Sequence, residues 1–291
     1  MNQQMHAVSD HTEATRAQWD MAADGWDAQT PALKVWLADP TETMVELAGV
    51  GEGSHVLDVA AGAGDQTLAL ATRVGPTGRI LATDLSPALV ERLGQNVARA
   101  GLGNVEARVA DAQELLPERE HFDAAVCRLG LMLMERPERA VVAVHAALRP
   151  GGSFAAMVFA GPEANPCLRS VVATALRHAG LPPRDPFAPG SLFSLGRSGE
   201  LEGLFRSAGF HDIASFSIEA PFRLPSVDAY LDFLRVAAAP VRAVLSRLSQ
   251  PAQDAAWKEI REQLSIYQTG EAWVGPNTLR LTVGRKRAAM Q

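Results

Sequence analysis

Cysteine is scarce in this chain. Cys127 and Cys167 are the only two in 291 residues and do not share a Cys-x-x-Cys spacing, which argues against a disulfide framework and against a zinc site. Positive charge is also short, with 27 Lys and Arg against 33 Asp and Glu and a formal net charge of -6. Nucleic-acid binding draws most of its affinity from clustered cations, so no nucleic-acid partner is expected. The one basic run, Arg285-Lys286-Arg287, closes a predicted strand and reads as a solvated strand end. No uninterrupted apolar run is long enough for a membrane span. The polar first residues carry His6, Asp10 and Glu13 where a secretory leader would need an apolar stretch. A cytoplasmic setting is the expectation. Neither low-complexity tracts nor internal repeats occur, and 47% hydrophobic residues give a chain of this length ample material for a packed core.

What is present is alternation. Apolar runs at His55 to Ala60, Arg79 to Leu85, Asn104 to Ala110, Phe122 to Leu129 and Ser153 to Phe159 alternate with helical runs. That pattern specifies a parallel sheet covered on both faces. Ser86 as N-cap, Pro87 at the first helical position and Gly101 as a left-handed stop frame one helix. Another starts near Pro137 and stops at Arg149-Pro-Gly-Gly152. From Gly161 to Leu195 frequent Pro and Gly predict an ordered loop or lid edge. A helix over Glu200 to Ala208 and strands near Ile213 to Ile218 and Leu279 to Val283 resume the pattern. Between those last strands, helices over Val227 to Leu248 and Ala252 to Tyr267 read as an insertion with an apolar stripe.

The sharpest chemical signal is Val56-Leu-Asp-Val-Ala-Ala-Gly-Ala-Gly-Asp-Gln-Thr-Leu68, a strand ending in an acid, a Gly-rich turn and a helix. Gly62 and Gly64 let backbone lie against a ligand. The dinucleotide spacing G-x-G-x-x-G is broken here, because Thr67 stands where the third glycine would be. Asp65 at the helix mouth would also repel a pyrophosphate, so a phosphate-free, positively charged ligand fits better. Two more acids fall at strand ends. A carboxylate at Asp84 can accept both hydroxyls of a ribose, and one at Asp111 can accept from an adenine amine.

With these motifs the chain resembles the class I S-adenosylmethionine-dependent methyltransferases, in particular the small-molecule branch similar to the ubiquinone and menaquinone biosynthesis enzymes. The likeness runs from Trp19 to Phe159. It implies a doubly wound α/β fold with a mostly parallel seven-stranded sheet; the helical insertion, expected as a lid, is larger than in the quinone enzymes and departs from them there. It also implies S-adenosyl-L-methionine as cofactor, with its methionine portion on Asp58 to Gly64, its ribose on Asp84 and its adenine on Asp111 and Ala112. Candidate cofactor-binding residues are Trp26, Asp58, Ala60, Gly62, Gly64, Asp84, Leu85, Asp111, Ala112, Cys127 and Arg128, with no metal ligand and no assigned catalytic residue. The indole of Trp26, or of Trp19, would face the sulfonium, while Trp36 reads as packing. Ala60 replaces the first glycine of many members. Cys127-Arg128-Leu129 stands where base-modifying members carry Asn-Pro-Pro-Tyr.

The expected organisation is an N-terminal helical segment over the cofactor (1–50), the cofactor-binding core (51–225), a substrate lid (226–270) and a last strand returning to the core (271–291). The expected reaction is in-line methyl transfer to a small apolar or aromatic molecule, with Phe187, Phe193, Phe222, Tyr230 and Phe233 as candidate acceptor-pocket residues. Neither His145, His178 nor His211 reads as a base. An NAD-dependent oxidoreductase and a cofactor-binding scaffold without turnover are the alternatives, and a homodimer is compatible with all three.

Overall fold

The structure, a computed structural model, describes residues 10–114 and 119–288. Two helices, α1 (Asp10–Ala28) and α2 (Thr30–Leu47), precede the alternating region. There β1 (His55–Val59), α3 (Asp65–Val74), β2 (Arg79–Asp84), α4 (Pro87–Arg99) and β3 (Val105–Val109) run to one side of the sheet. Then β4 (Phe122–Arg128), α5 (Pro137–Ala147) and β5 (Leu148–Phe159) run to the other. After α6 (Pro166–His178), α7 (Glu200–Ser207) and β6 (His211–Glu219) come β7 (Phe222–Leu224), the helices α8 (Val227–Ala237), α9 (Ala239–Leu245) and α10 (Gln250–Leu264), and the strands β8 (Gln268–Thr269), β9 (Ala272–Gly275) and β10 (Thr278–Arg285).

The central sheet has seven strands in the order β3-β2-β1-β4-β5-β10-β6. Its first five are parallel, and β10 is antiparallel to both neighbours. Right-handed crossovers that set out from β1 and β4 in opposite directions put α3 and α4 on one face and α5 on the other. A crevice therefore opens at the carboxyl ends of β1 and β4, where the strand order reverses. Strand β1 is buried from Val56 to Val59 because both faces are covered.

The doubly wound, mostly parallel sheet expected from the alternation is what the chain forms. Three details differ. The Pro- and Gly-rich stretch expected as loop contains α6, whose apolar Cys167, Leu168, Val171, Ala175 and Leu176 are buried. Pro166 opens it and Gly180, at φ +63°, lies just beyond its end, a helical signature that the flanking prolines obscured. The long helix expected over Val227 to Leu248 is two helices, because Pro240 lacks the N–H that would continue the first. The expected turn at Arg149 to Gly152 is already strand, since β5 begins at Leu148 opposite Phe122, with a register shift before Ala124. A small antiparallel sheet, β7-β9-β8, closes the base of the helical insertion.

Candidate functional site

The Gly-rich turn between β1 and α3 is held by main-chain conformations that suit few side chains. Ala60, Gly62 and Gly64 have φ of 55°, 59° and 92°. A Cβ added at Gly62 would lie 3.1 Å from the indole nitrogen of Trp26, so that turn and indole form two walls of one narrow cradle. Asp84, at the end of β2, anchors the same turn. Its Oδ2 accepts from the Gly62 amide at 2.9 Å and its Oδ1 from the Ser86 amide at 3.0 Å. Each oxygen keeps a second lone-pair direction for a ligand. Burial pushes the Asp84 carboxyl up, while the amides of Ser86, Gly62 and Leu85 hold it down.

Helix α1 is clamped across α4 by three acids spaced along one of its faces. Asp20 accepts from the Ser86 hydroxyl and from the Ala88 amide at 3.2 Å, Asp24 pairs with Arg92, and Asp27 accepts from Asn96 at 2.8 Å. The spacing of four and then three residues puts these acids on one stripe. This docking seats Trp19 and Trp26 over the strand ends, edge to face at 5.2 Å between centroids. At the β3 end, the Gln113 amide nitrogen donates to Asp111 at 3.1 Å, and Gln113 Oε1 accepts from the Arg136 amide at 2.8 Å.

These pieces border one cavity of about 230 Å³. Of the residues expected at the site, Trp26, Ala60, Gly62, Asp84, Leu85, Asp111, Ala112 and Arg128 line it. Asp58, Gly64 and Cys127 are not among its lining residues. Gly64 caps α3 from behind, a Cβ there meeting Leu93 at 2.9 Å. Cys127 is fully buried, and burial pushes its thiol up to about 12, which makes it inert packing. Asp58 is fully buried and accepts from Gln66 and, at 2.6 Å, from the Thr67 hydroxyl.

Burial pushes Asp58 up to about 7 despite those two donors, from an ordinary 3.8. The folded chain then holds this proton more tightly than the unfolded chain, so the stability Asp58 contributes is full below pH 3.8 and is lost as pH rises through 7. Asp58→Asn is therefore expected to gain on the wild type between pH 4.5 and 7.5 in urea-unfolding midpoints. A difference independent of pH would show an ordinary carboxyl.

Past the Gly-rich turn the cavity becomes apolar, walled by Phe159 of β5, Leu168 and Val172 of α6, Phe222 of β7, Phe233 of α8 and Val241 of α9. Phe222 and Phe233 thus join the cavity wall. Phe187 lies instead under the Arg197 guanidinium, Phe193 packs on Phe159, and Tyr230 is enclosed against Trp273. Trp36, read from sequence as packing, stacks on Phe222 at 3.9 Å and also borders the cavity. Its indole donates to the Ala220 carbonyl at 2.7 Å. His145, His178 and His211 stay away from it, against Phe210, Glu259 and Asp212. His11 does line it, an imidazole that the sequence pattern did not single out.

Sequence reasoning also missed a buried ion pair at the turn. Nη2 of Arg128 reaches both oxygens of Asp65 at 2.6 Å, and Nη1 donates to the Thr41 hydroxyl at 2.8 Å. Asp65 is therefore neutralised, and its repulsion of a pyrophosphate is weaker than the sequence alone suggests. Among the described residues no group of three His, Cys, Asp or Glu side chains could hold a metal ion, and no helix is long and apolar enough to cross a membrane.

Residues 56–152 match the family described as "Methyltransferase domain". The ubiquinone/menaquinone biosynthesis C-methyltransferase of Ectopseudomonas mendocina is 35% identical over 131 residues, 45% of this chain and 51% of that protein. The chain thus spans about half the length of this curated relative. Among solved structures, a phosphoethanolamine N-methyltransferase of Haemonchus contortus superposes with a TM-score of 0.59 at 16% identity, covering 97% of this chain and 62% of that one. A (4+2)-cyclase superposes at 0.56 and 19% identity, covering 93% and 96%. Fold is shared across different reactions here. Residues 56–152 thus match a methyltransferase-domain model, and the chain as a whole shares the doubly wound fold of these solved structures.

Proposed function

We propose that the protein binds S-adenosylmethionine across the ends of β1, β2 and β3 and transfers its methyl group to a small apolar or aromatic acceptor. The observation that carries this reading is the single cavity, which joins the carboxylates of Asp84 and Asp111 to a compartment walled by carbon. The residues fit the cofactor. Gly62 leaves a cradle that a side chain would fill, and Asp84 retains acceptor capacity for two hydroxyls. S-adenosylmethionine supplies, when bound, a methyl carbon activated by an adjacent sulfonium.

The chain supplies alignment and dryness. Asp84 and Asp111 fix the nucleoside by charge-assisted hydrogen bonds, and Trp26 presents an indole across the turn, an arrangement suited to a cation. Phe159, Phe222 and Phe233 exclude water and hold the acceptor in line, which for a displacement of this kind provides most of the acceleration. A dedicated base is not required. In this reading α1 and α2 cover the cofactor half, while α8 and α9 act as the lid of the acceptor half. The two unpaired, buried cysteines accord with a cytoplasmic setting.

S-adenosylhomocysteine at a hundredfold excess over its Kd is expected to raise the melting temperature by about 5–10 °C. NADH is expected to leave it unchanged. The reverse ranking in a thermal-shift assay would replace this reading by the oxidoreductase one. Turnover of labelled cofactor against phenols, quinols and amines then identifies the acceptor, and cofactor binding with no turnover on any class would favour a scaffold.

A further inference from the structure

Four aromatic rings meet on the carbon-walled half of the cavity, each from a different element: Trp36 of α2, Phe159 of β5, Phe222 of β7 and Phe233 of α8. All four lie outside residues 56–152, the stretch that matches the methyltransferase family. Whatever they select is therefore set by this chain's own flanking segments.

Their planes are ordered. Trp36 stacks on Phe222 at 3.9 Å between centroids with 23° between planes, and Phe159 lies 6.2 Å from the indole with only 19° between them. Phe233 stands edge to face at 75° to the indole, 6.4 Å away. Three rings of nearly common orientation, with a fourth across them, favour one kind of guest, a flat ring that continues the stack. Aliphatic neighbours such as Leu168 and Val241 keep water from any hydrocarbon and discriminate little.

Trp36 is the fixed member of the set. Its N–H donates to the Ala220 carbonyl at 2.7 Å, which orients the indole and leaves only apolar surface to meet a guest, since an indole has no other polar hydrogen. The ring packs on the core over part of that surface, and the rest borders the cavity. An ammonium guest is disfavoured, because neither the four rings nor Leu168 and Val241 supply a counter-charge, and burying an unpaired charge is costly.

We propose that Trp36 determines acceptor choice: its indole is the platform on which a planar aromatic acceptor lies, in the orientation that Phe159 and Phe222 share, with Phe233 closing the side. This rests on the acceptor half of the reading above. It gives to acceptor recognition a residue of the N-terminal segment that the sequence places over the cofactor.

Calorimetry on the full chain saturated with S-adenosylhomocysteine tests it with two probes, 2-naphthol and decahydro-2-naphthol, which share a carbon skeleton and a hydroxyl and differ in flatness. The wild type should bind the flat probe about three- to tenfold more tightly. In Trp36→Leu that ratio should fall to about one, while the affinity for S-adenosylhomocysteine changes less than about twofold. Trp36→Phe keeps a ring and should keep part of the preference. If the Trp36→Leu variant does not fold, Trp36→Met, unbranched and adaptable in packing, takes its place. Equal weakening of both probes would make Trp36 a space filler, an unchanged ratio would make it a bystander, and a matching loss of S-adenosylhomocysteine would return it to the cofactor half; each overturns the proposal. So would a wild type that prefers the saturated probe or choline, or that binds S-adenosylhomocysteine and neither naphthol. A wild type that does not bind S-adenosylhomocysteine at all would bring down the cofactor reading, and this proposal with it.

Discussion

Asp84→Ala is expected to weaken S-adenosylhomocysteine binding by at least about a hundredfold, about 3 kcal/mol, because one side chain serves both the ligand and the loop that receives it. Each lost hydrogen bond from a ribose hydroxyl to a charged acceptor is worth about 1.5–3 kcal/mol. The substitution also releases the Gly62 and Ser86 amides, which the two carboxylate oxygens hold at 2.9 and 3.0 Å. A turn built on φ of 55° at Ala60 and 59° at Gly62 then loses the contact that fixes it against β2. Calorimetry with circular dichroism as the folding control measures the loss. A folded variant with wild-type affinity would remove Asp84 from the site.

The second large effect concerns the acceptor. Val172 of α6 is partly buried and faces the apolar half of the cavity, so Val172→Trp grows into space rather than into packed core. Once the acceptor screen has supplied a substrate, this variant should lose at least about a hundredfold in kcat/KM through a misaligned acceptor. Its affinity for S-adenosylhomocysteine should stay within about twofold, because the strand-end carboxylates lie in the other half. Unimpaired turnover would show that the acceptor sits elsewhere. A matching loss of cofactor affinity would show that the cavity is not divided in this way.

Legibility in the sequence followed the range of the interaction. The Gly-rich turn, Asp84 and Asp111 each sit next to the strand that presents them, so the local pattern located them. Helix α6 was also written locally, in Pro166 and the spacing of Cys167, Leu168, Val171 and Ala175, yet the Pro-rich surroundings outweighed the periodicity. The aromatic candidates could not be sorted from sequence at all. Phe222 and Phe233 reach the cavity while Tyr230, three residues before Phe233 on the same helix, turns into the core against Trp273.

The sequence by itself determined the alternating α/β class, the broken dinucleotide spacing and the strand-end acids, because each depends on residues within one strand, turn or helix. Tertiary structure alone decided which side chain at the end of β4 faces the cavity. Cys127 and Arg128 are adjacent and both were candidates, but successive residues of a strand point to opposite faces. Pairing of β4 with β1 and β5 sends the thiol into the core and the guanidinium to Asp65, 63 positions away. That ion pair, and with it the division of the cavity into a charged end and a carbon-walled end, exists only because the sheet order brings the ends of β1 and β4 together. No local pattern encodes that adjacency, because it is settled by how the whole chain buries its apolar faces.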